Sequence, residues 1–309
     1  MSRMINAQAA ILGALVGDAL GVPHEFKSAA AIPRADQIEM VMPASYQKTY
    51  AHVPYGTWSD DGSQLMCLLD SMVSTDWTLD LDVFAGRLLR WADEGYMQAG
   101  GRVFDMGMQT SRALDQLRAG VSPLMSGPSD IRANGNGSLM RVLPAILRGS
   151  RSKAIGIAIA QSMPTHGHDV SRMTCATYVA LALKKEASCS WKDAALTTID
   201  ELRYQRDLTS SELAALEVLA SFGRSQMPTG GGYVVDSFWS ALWAMDQGND
   251  YASSVRAAIS LGNDTDTTAC ITGGLAGLTY GMASIPERWL AQLVIPMDAV
   301  GLLDGLSAD

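Results

Sequence analysis

The stretch "SDDGSQLMCLLDSM", residues 59–72, places two adjacent aspartates directly before an apolar run. Its apolar residues recur at i, i+3, i+4 and i+7, the spacing of one helix face: Leu65, Leu68, Leu69 and Met72. Ser59 suits the N-cap of this helix, and the acids Asp60 and Asp61 suit the positive end of its dipole. The stretch therefore predicts a helix that begins near residue 60 with two acids in its first turn.

A second stretch, "GNDTDTTACITGGLAGL" at 262–278, repeats this arrangement. Asn263 or Asp264 is suited to cap a helix, and Asp266 falls in its first turn. Both predicted helices are apolar nearly all round, so we expect both to be central and their N-termini to be buried. Four carboxylates that converge in a core repel one another strongly unless cations neutralise them.

Glycines recur every four residues in two apolar helical segments: Gly13, Gly17 and Gly21, then Gly273, Gly277 and Gly281. On a helix this spacing makes a ridge almost without side chains. Each glycine costs about 1 kcal/mol relative to alanine in a helix interior, so the ridges need a compensating contact. We expect the two helices to pack closely and to bring their polar ends together.

Helical patterns dominate the rest of the chain. Three more segments show them: one from a Thr209–Glu212 capping box to Gly223, "DSFWSALWAM" at 236–245 and "RWLAQLV" at 288–294. Alternating strand patterns are nearly absent, although "GYVV" at 232–235 is compatible with a short extended piece. We predict an all-α protein: one domain over 1–309, a compact orthogonal helical bundle with a dinuclear metal site at buried helix N-termini.

Composition narrows the classes of function. The chain has 309 residues, of which 48% are hydrophobic, so it can bury a core without disulfides. Its formal charge of -9 disfavours nucleic acid and anionic membranes as partners, and no apolar run is long enough to span a bilayer. The four cysteines form no C-x-x-C pair and indicate reduced, buried thiols in the cytoplasm. The apolar run at 7–17 lacks a clean cleavage site, which argues against secretion.

The acidic stretches offer only oxygen ligands, namely carboxylates and the hydroxyls of Ser59 and Thr267. Oxygen donors favour Mg²⁺, Mn²⁺ or Ca²⁺ over Zn²⁺. Asp18 and Glu25, near the end of the first glycine-ridged helix, add two further acids. So many carboxylates fit two divalent cations with bridging ligands better than they fit one.

An acidic protein that binds phosphate needs local donors. The loop "ANGNGSLMR" at 133–141 provides them, because its small residues let backbone N–H groups point at a diphosphate: Gly135, Asn136, Gly137 and Ser138. Arg141 follows this loop into a helical run. We expect it to be a structural ion-pair partner rather than a phosphate ligand.

Seven blocks of sequence, in order from about Leu12 to Gly281, resemble the ADP-ribosylglycohydrolase family. They are "GALVGDALGVPHE", "TWSDDGSQ", "GRVFDMGMQT", "NGNGSLMRVLP", "PTHGHD", "GGGYVVDSFWSALWA" and "GNDTDTTACITGGLAGLTYG". The resemblance implies a mostly α-helical domain with a dinuclear Mg²⁺ or Mn²⁺ centre. It also implies, by position, six metal ligands: Ser59, Asp60, Asp61, Asp264, Asp266 and Thr267. Ser59 stands where the family usually has threonine.

The resemblance also implies roles around the substrate. Glu25 matches a glutamate that lies at the metal centre in some members, and Asp105 matches a loop acid near the leaving group. Glu25 and Asp61 are the candidate proton acceptors. His166 is implied to face ADP-ribose, as is the loop at 230–233, from which we select Gly231, Gly232 and Tyr233.

These roles imply removal of ADP-ribose from modified proteins, with the N-glycosidic bond to arginine as the leading substrate. The partners would be the ADP-ribosylated protein and the ADP-ribose product, and we expect a monomer. Three alternatives stay open: cleavage of serine-linked or small ADP-ribosyl compounds, non-catalytic ADP-ribose binding, and metal-dependent phosphohydrolysis of a nucleotide.

Overall fold

A computed structural model describes residues 7–184, 189–205 and 207–306. Thirteen α-helices are present in these ranges, joined by loops and short 3₁₀ turns, and no strand is found among them. The helices are α1 (Ala7–Gly21), α2 (Asp60–Ser74), α3 (Leu81–Glu94), α4 (Met108–Arg118), α5 (Arg151–Ala160), α6 (Asp169–Lys184), α7 (Trp191–Gln205), α8 (Ser210–Ser225), α9 (Val234–Gln247), α10 (Tyr251–Ser260), α11 (Thr265–Tyr280), α12 (Glu287–Leu290) and α13 (Met297–Gly305). The all-α prediction is confirmed.

Helices α1 and α11 form the centre of the fold, and the predicted close contact between their glycine ridges is confirmed. A Cβ at Gly17 would come within 2.8 Å of the carbonyl carbon of Ala269, and a Cβ at Gly277 within 2.7 Å of that of Ala9. The contacts run in opposite directions along the two helices, so the pair is antiparallel. At its end, Gly21 meets the backbone of Asp266, which brings the polar ends together.

The glycine ridge on α11 is shorter than the sequence indicates. Gly281 is not part of it but follows the last helical residue with φ of 80°, a backbone conformation that favours glycine. Gly223 was expected to end α8, yet this helix continues to Ser225. Gly223 lies where the indole of Trp239 packs, since a Cβ there would lie 2.5 Å from Cε2 and Cη2 of the ring and closer still to Cζ2.

Two other local predictions need correction. The stretch 232–235 is not a strand: Tyr233 makes a single bridge to Gly135, and α9 starts at Val234. The segment 288–294 contains only the short helix α12, and its Val294 N–H donates to the carbonyl of Gly56 instead of continuing the helix. The capping box of Thr209 and Glu212 and the helix at 236–245 are confirmed.

Side-chain burial agrees with a single core around α1 and α11. Every residue from Ala9 to Gly21 is buried, as is every residue from Thr265 to Gly277. Three cysteines are free and buried, whereas Cys189 is exposed, so the prediction of four buried thiols is wrong at that position. No helix in the described ranges has the length and hydropathy needed to cross a bilayer.

Candidate active site

The N-terminus of α2 is fixed to α1 by one buried carboxylate. Asp18 accepts hydrogen bonds from the backbone N–H of Ser59 at 2.9 and 3.1 Å and from that of Gly62 at 2.7 Å. These are N–H groups that the first turn of a helix leaves unpaired. Asp18 therefore acts as an anchor that positions the acids of α2 against α1.

The two acidic helix N-termini meet at Asp61. The Ser59 hydroxyl donates to Asp61 Oδ2 at 2.9 Å and accepts the Asp61 N–H at 3.3 Å, as expected of an N-cap. The Thr267 hydroxyl, from α11, lies 3.3 Å from the same Oδ2. Both hydroxyls expected to bind metal thus point at one carboxylate shared between the helices.

Carboxyl oxygens from the two acidic stretches and from Asp18, Glu25 and Asp105 form two overlapping groups. In the first, atoms of Asp18, Asp61 and Asp266 all lie within 4.8 Å of one another, and in the second the same holds for Glu25, Asp105 and Asp266. Asp266 belongs to both groups. A carboxylate shared between two groups is the arrangement expected of two neighbouring cations.

Several of these oxygens have no hydrogen-bond partner among the described residues. Asp61 Oδ1, Asp266 Oδ2 and Glu25 Oε2 are buried and receive no donor. A buried, unpaired carboxylate oxygen is costly unless a cation or proton compensates it. The unpaired atoms and the all-oxygen donor set therefore fit hard divalent cations.

The electrostatics of the cluster support the same reading. Burial, reinforced by repulsion from Asp105 and Asp264, raises the pKa of Glu25 to about 10. Burial also raises the pKa of Asp61 and Asp266 well above the usual range, again with neighbouring carboxylates contributing. Without cations, Glu25, Asp61 and Asp266 are therefore protonated. Bound cations would neutralise their carboxylates in place of these protons, so the cluster favours the binding of cations.

Asp60 and Asp264 lie beside the two groups rather than within them. Asp60 Oδ2 accepts a hydrogen bond from the Gln64 amide at 2.8 Å, and Asp264 Oδ2 accepts one from Asn136 Nδ2 at 2.8 Å. Both residues line the cleft above the cluster. The structure thus brings all six predicted metal ligands together, and their role as ligands stays a prediction.

Tyr50 is a site residue that the sequence did not single out. Its hydroxyl donates to Asp105 Oδ1 at 2.6 Å, while Asp105 itself has a φ of 60°, rare for a residue other than glycine. Burial raises the pKa of Asp105, and the Tyr50 hydrogen bond opposes that rise. Tyr50 comes from a loop without periodic pattern, so only the fold shows its place.

A cleft of about 290 Å³ opens over the acidic cluster. Its acidic floor faces a wall of small and neutral residues, and its lining includes Glu25, Asp60, Asp105, Asp264, Thr267, Gly135, Asn136, Gly137, His166 and Gly232. The His166 ring packs on Gly137, where a Cβ would lie 2.8 Å from its Cε1. Most predicted substrate-binding residues are therefore on the surface of one cleft.

Three predicted substrate-binding residues lie elsewhere. Ser138 is fully buried, with its hydroxyl accepting from Ser162, so its side chain faces the core. The Gly231 N–H is already donated to Asp236 at 2.8 Å. Tyr233 lines a neighbouring depression of about 500 Å³ that shares Gly135 and Gly232 with the cleft.

Arg141 is structural, but not as an ion-pair partner. Its guanidinium is fully buried and donates to neutral oxygens of Gln64, Gln161 and Thr165 at 2.7 to 3.0 Å. Burial lowers the pKa of Arg141 to about 10. This expectation was wrong because amide, hydroxyl and backbone carbonyl oxygens, from α2 and from the turn that follows α5, take the place of a carboxylate.

The described part of the chain is thus an all-α fold in which two acidic helix N-termini meet under one cleft. The family model described as ADP-ribosylglycohydrolase matches residues 2–306. The chain therefore belongs to the ADP-ribosylglycohydrolase family, whose members are enzymes that depend on metal ions.

Two named relatives and one solved structure are similar to this chain over most of its length. The chain is 31% identical over 293 residues to ADP-ribosylarginine hydrolase Tri1 of Pseudomonas putida (strain GB-1), covering 93% of this chain and 74% of that protein. It is 26% identical over 291 residues to ADP-ribosyl-[dinitrogen reductase] glycohydrolase of Rhodospirillum rubrum, covering 93% and 90%. A solved structure titled ADP-ribosylglycohydrolase-related protein complex superposes with a TM-score of 0.75 at 29% identity, over 99% of this chain and 98% of that one.

Proposed function

We propose that this enzyme hydrolyses the N-glycosidic bond between ADP-ribose and an arginine side chain of a modified protein, using two Mg²⁺ or Mn²⁺ ions. The main support is the arrangement beneath the cleft, where two clusters of three acids have Asp266 in common: Asp18, Asp61 and Asp266, and Glu25, Asp105 and Asp266. The Pseudomonas putida relative is named for ADP-ribosylarginine hydrolysis and supports the arginine linkage.

The ions would be held by oxygens of the two acidic N-termini: Ser59, Asp60, Asp61, Asp264, Asp266 and Thr267. When bound, divalent cations neutralise the carboxylates and polarise ligand oxygens. Asp18, on α1, keeps the N-terminus of α2 in place, and it is itself close enough to Asp61 and Asp266 to contribute an oxygen.

The remaining residues act on the sugar and on the leaving group. Hydrolysis at ribose passes through an oxocarbenium-like transition state and needs a proton acceptor for the attacking water. Glu25 lines the cleft and its Oε2 is unpaired, so it is placed to accept that proton, with Asp61 as the second candidate. Asp105, oriented by Tyr50, is placed to bind a departing guanidinium.

The opposite wall would bind the rest of ADP-ribose through neutral donors. Asn136 is held between Asp264 and the Ser237 hydroxyl, with its amide donating to each at 2.8 and 2.9 Å. Gly135, Gly137 and Gly232 leave room for the diphosphate near backbone groups. Such a wall suits an anion in a protein of net charge -9, where neutral donors avoid pairing with the acidic floor. We also propose that the enzyme acts as a monomer in the cytoplasm.

The test is product analysis with defined linkages. Arginine-ADP-ribosylated and serine-ADP-ribosylated proteins are incubated with the enzyme, with Mn²⁺, Mg²⁺ or EDTA, and the released compounds are identified by mass spectrometry. We expect free ADP-ribose from the arginine-linked protein, and only with a divalent ion. Preferential release from serine contradicts the arginine linkage, and AMP or phosphate indicates a nucleotide phosphohydrolase. Binding of ADP-ribose without turnover indicates a non-catalytic binder.

A further inference from the structure

His166 has one fixed ring placement in the cleft. Its backbone N–H donates to the Ser162 carbonyl at 2.7 Å, and its own carbonyl accepts from the Ser162 hydroxyl at 2.7 Å. The residue is 2% exposed, and its ring packs on Gly137. Nδ1 lies 2.8 Å from Thr165 Oγ1, whereas Nε2 has no hydrogen-bond partner among the described residues. In a neutral ring only one nitrogen carries the proton, so the protonation of Nδ1 determines whether Nε2 offers a ligand a donor or an acceptor.

Thr165 lies between this ring and a buried cation. Arg141 Nη2 donates to Thr165 Oγ1 at 2.8 Å and to the Gln161 carbonyl at 2.8 Å. A guanidinium only donates, so the threonine oxygen is an acceptor in that bond. Its single hydroxyl proton has no acceptor within reach in the described residues except His166 Nδ1.

The donor count assigns the tautomer. If Nδ1 carried the proton, the Thr165 oxygen would face two donors and its own buried proton would be left unpaired, at a cost in free energy. If Nδ1 accepts, the Thr165 hydroxyl proton is paired, and the Thr165 oxygen receives a single donor, the Arg141 Nη2–H. The neutral ring then carries its proton on Nε2.

We propose that Arg141 and Thr165 are positioning residues that hold His166 as a neutral imidazole with its Nε2–H directed into the cleft, as a donor to a phosphoryl oxygen of ADP-ribose. The proposal deepens the function proposed above and rests on ADP-ribose as the ligand. Burial, with help from the Arg141 charge, keeps the pKa of His166 well below its usual range, so the ring stays neutral. A neutral donor binds an anion without forming an ion pair with the acidic floor.

Thr165→Val and Thr165→Ser separate this role from simple packing. Valine keeps the branched shape but removes the hydroxyl, and serine keeps the hydroxyl. Arg141 Nη2 retains the Gln161 carbonyl in both variants. Circular dichroism and melting temperature verify that both are folded.

The first measurement is long-range ¹H–¹⁵N correlation of the imidazoles in EDTA-treated protein without ligand. The chain has four histidines, so His166→Gln assigns the His166 signals by their loss. We expect Nδ1 unprotonated and Nε2 protonated in the wild type and in Thr165→Ser. In Thr165→Val the Nδ1 signal should move toward that of a nitrogen without a hydrogen bond. A wild-type His166 protonated on Nδ1 overturns the proposal.

The second measurement is calorimetric titration with ADP-ribose. We expect Thr165→Val to bind ADP-ribose about tenfold more weakly than Thr165→Ser. Without the hydroxyl, the His166 donor is no longer held in place, and the loss of one hydrogen bond to a charged oxygen has an effect of this size. Equal affinity of the two variants overturns the proposal. A wild type that does not bind ADP-ribose at all counts against the proposed function, while the tautomer, read without ligand, decides the positioning role separately.

Discussion

Replacing Gly17 by alanine tests the contact that assembles the site. An ideal Cβ there would lie 2.8 Å from the Ala269 carbonyl carbon and closer still to its oxygen, whereas ordinary contacts begin near 3.4 Å. The obstacle is backbone, so α1 and α11 must move apart. Overpacking of this kind costs about 1–3 kcal/mol or more, against about 1 kcal/mol gained in helix propensity. Because backbone cannot turn aside as a side chain can, the upper end of that range applies, and we expect a net loss of about 2 kcal/mol in the free energy of unfolding.

Urea denaturation followed by circular dichroism measures this loss, and Gly86→Ala is the matched control. Gly86 lies within α3 and has nothing within 4 Å of an added Cβ, so alanine there should stabilise the protein by up to about 1 kcal/mol. Because α1 carries Asp18, Gly17→Ala should also weaken Mn²⁺ binding, whereas Gly86→Ala should not. If Gly17→Ala is as stable as Gly86→Ala, the close helix contact is wrong.

Two further predictions concern the carboxylates. In EDTA, the free energy of unfolding should fall as the pH rises from 5 to 7, since burial raises the pKa of Asp18 to about 7 and that of Glu25 to about 10, and such groups stabilise the fold only while protonated. The free energy of unfolding should fall by roughly 1 kcal/mol per pH unit for each carboxyl that ionises on unfolding. Saturating Mn²⁺ should flatten this dependence on pH. A rise in stability over this range in EDTA would falsify the assignment of raised pKa values to these carboxyls. Tyr50→Phe removes the hydrogen bond that lowers the pKa of Asp105, so kcat/KM should fall about tenfold and the acid limb of its pH profile should shift to higher pH. An unchanged profile would show that Tyr50 does not tune this carboxyl.

Much of the fold follows from periodic features of the sequence. The spacing of Gly13, Gly17 and Gly21 predicts a close helix pair because four-residue steps place glycines on one face. The partner of this face could be identified because a second segment has the same spacing. Gly223 shows the limit: glycine is read as a helix end, but tertiary packing against Trp239 requires it inside the helix.

The site likewise contains residues that sequence patterns predict and residues that only the fold brings together. Acids at helix starts, such as Asp61 and Asp266, are visible because capping patterns mark those positions. The Tyr50–Asp105 contact joins residues 55 apart in sequence, and no local pattern records it. The Arg141–Thr165 contact spans 24 residues and depends equally on the fold. Side chains that position others are thus the part that sequence alone misses.

The central claim is that the acidic N-termini of α2 and α11 hold divalent cations needed for release of ADP-ribose. The most direct test compares the wild type with the double variant Asp60→Asn/Asp266→Asn on arginine-ADP-ribosylated protein, with Mn²⁺ titrated into EDTA-treated enzyme. The control is Asp207→Asn/Asp298→Asn, which alters two exposed acids outside the cleft. We predict Mn²⁺-dependent release by the wild type and the control and none by the site variant. Full release by the site variant, or by the wild type in EDTA, would contradict the account.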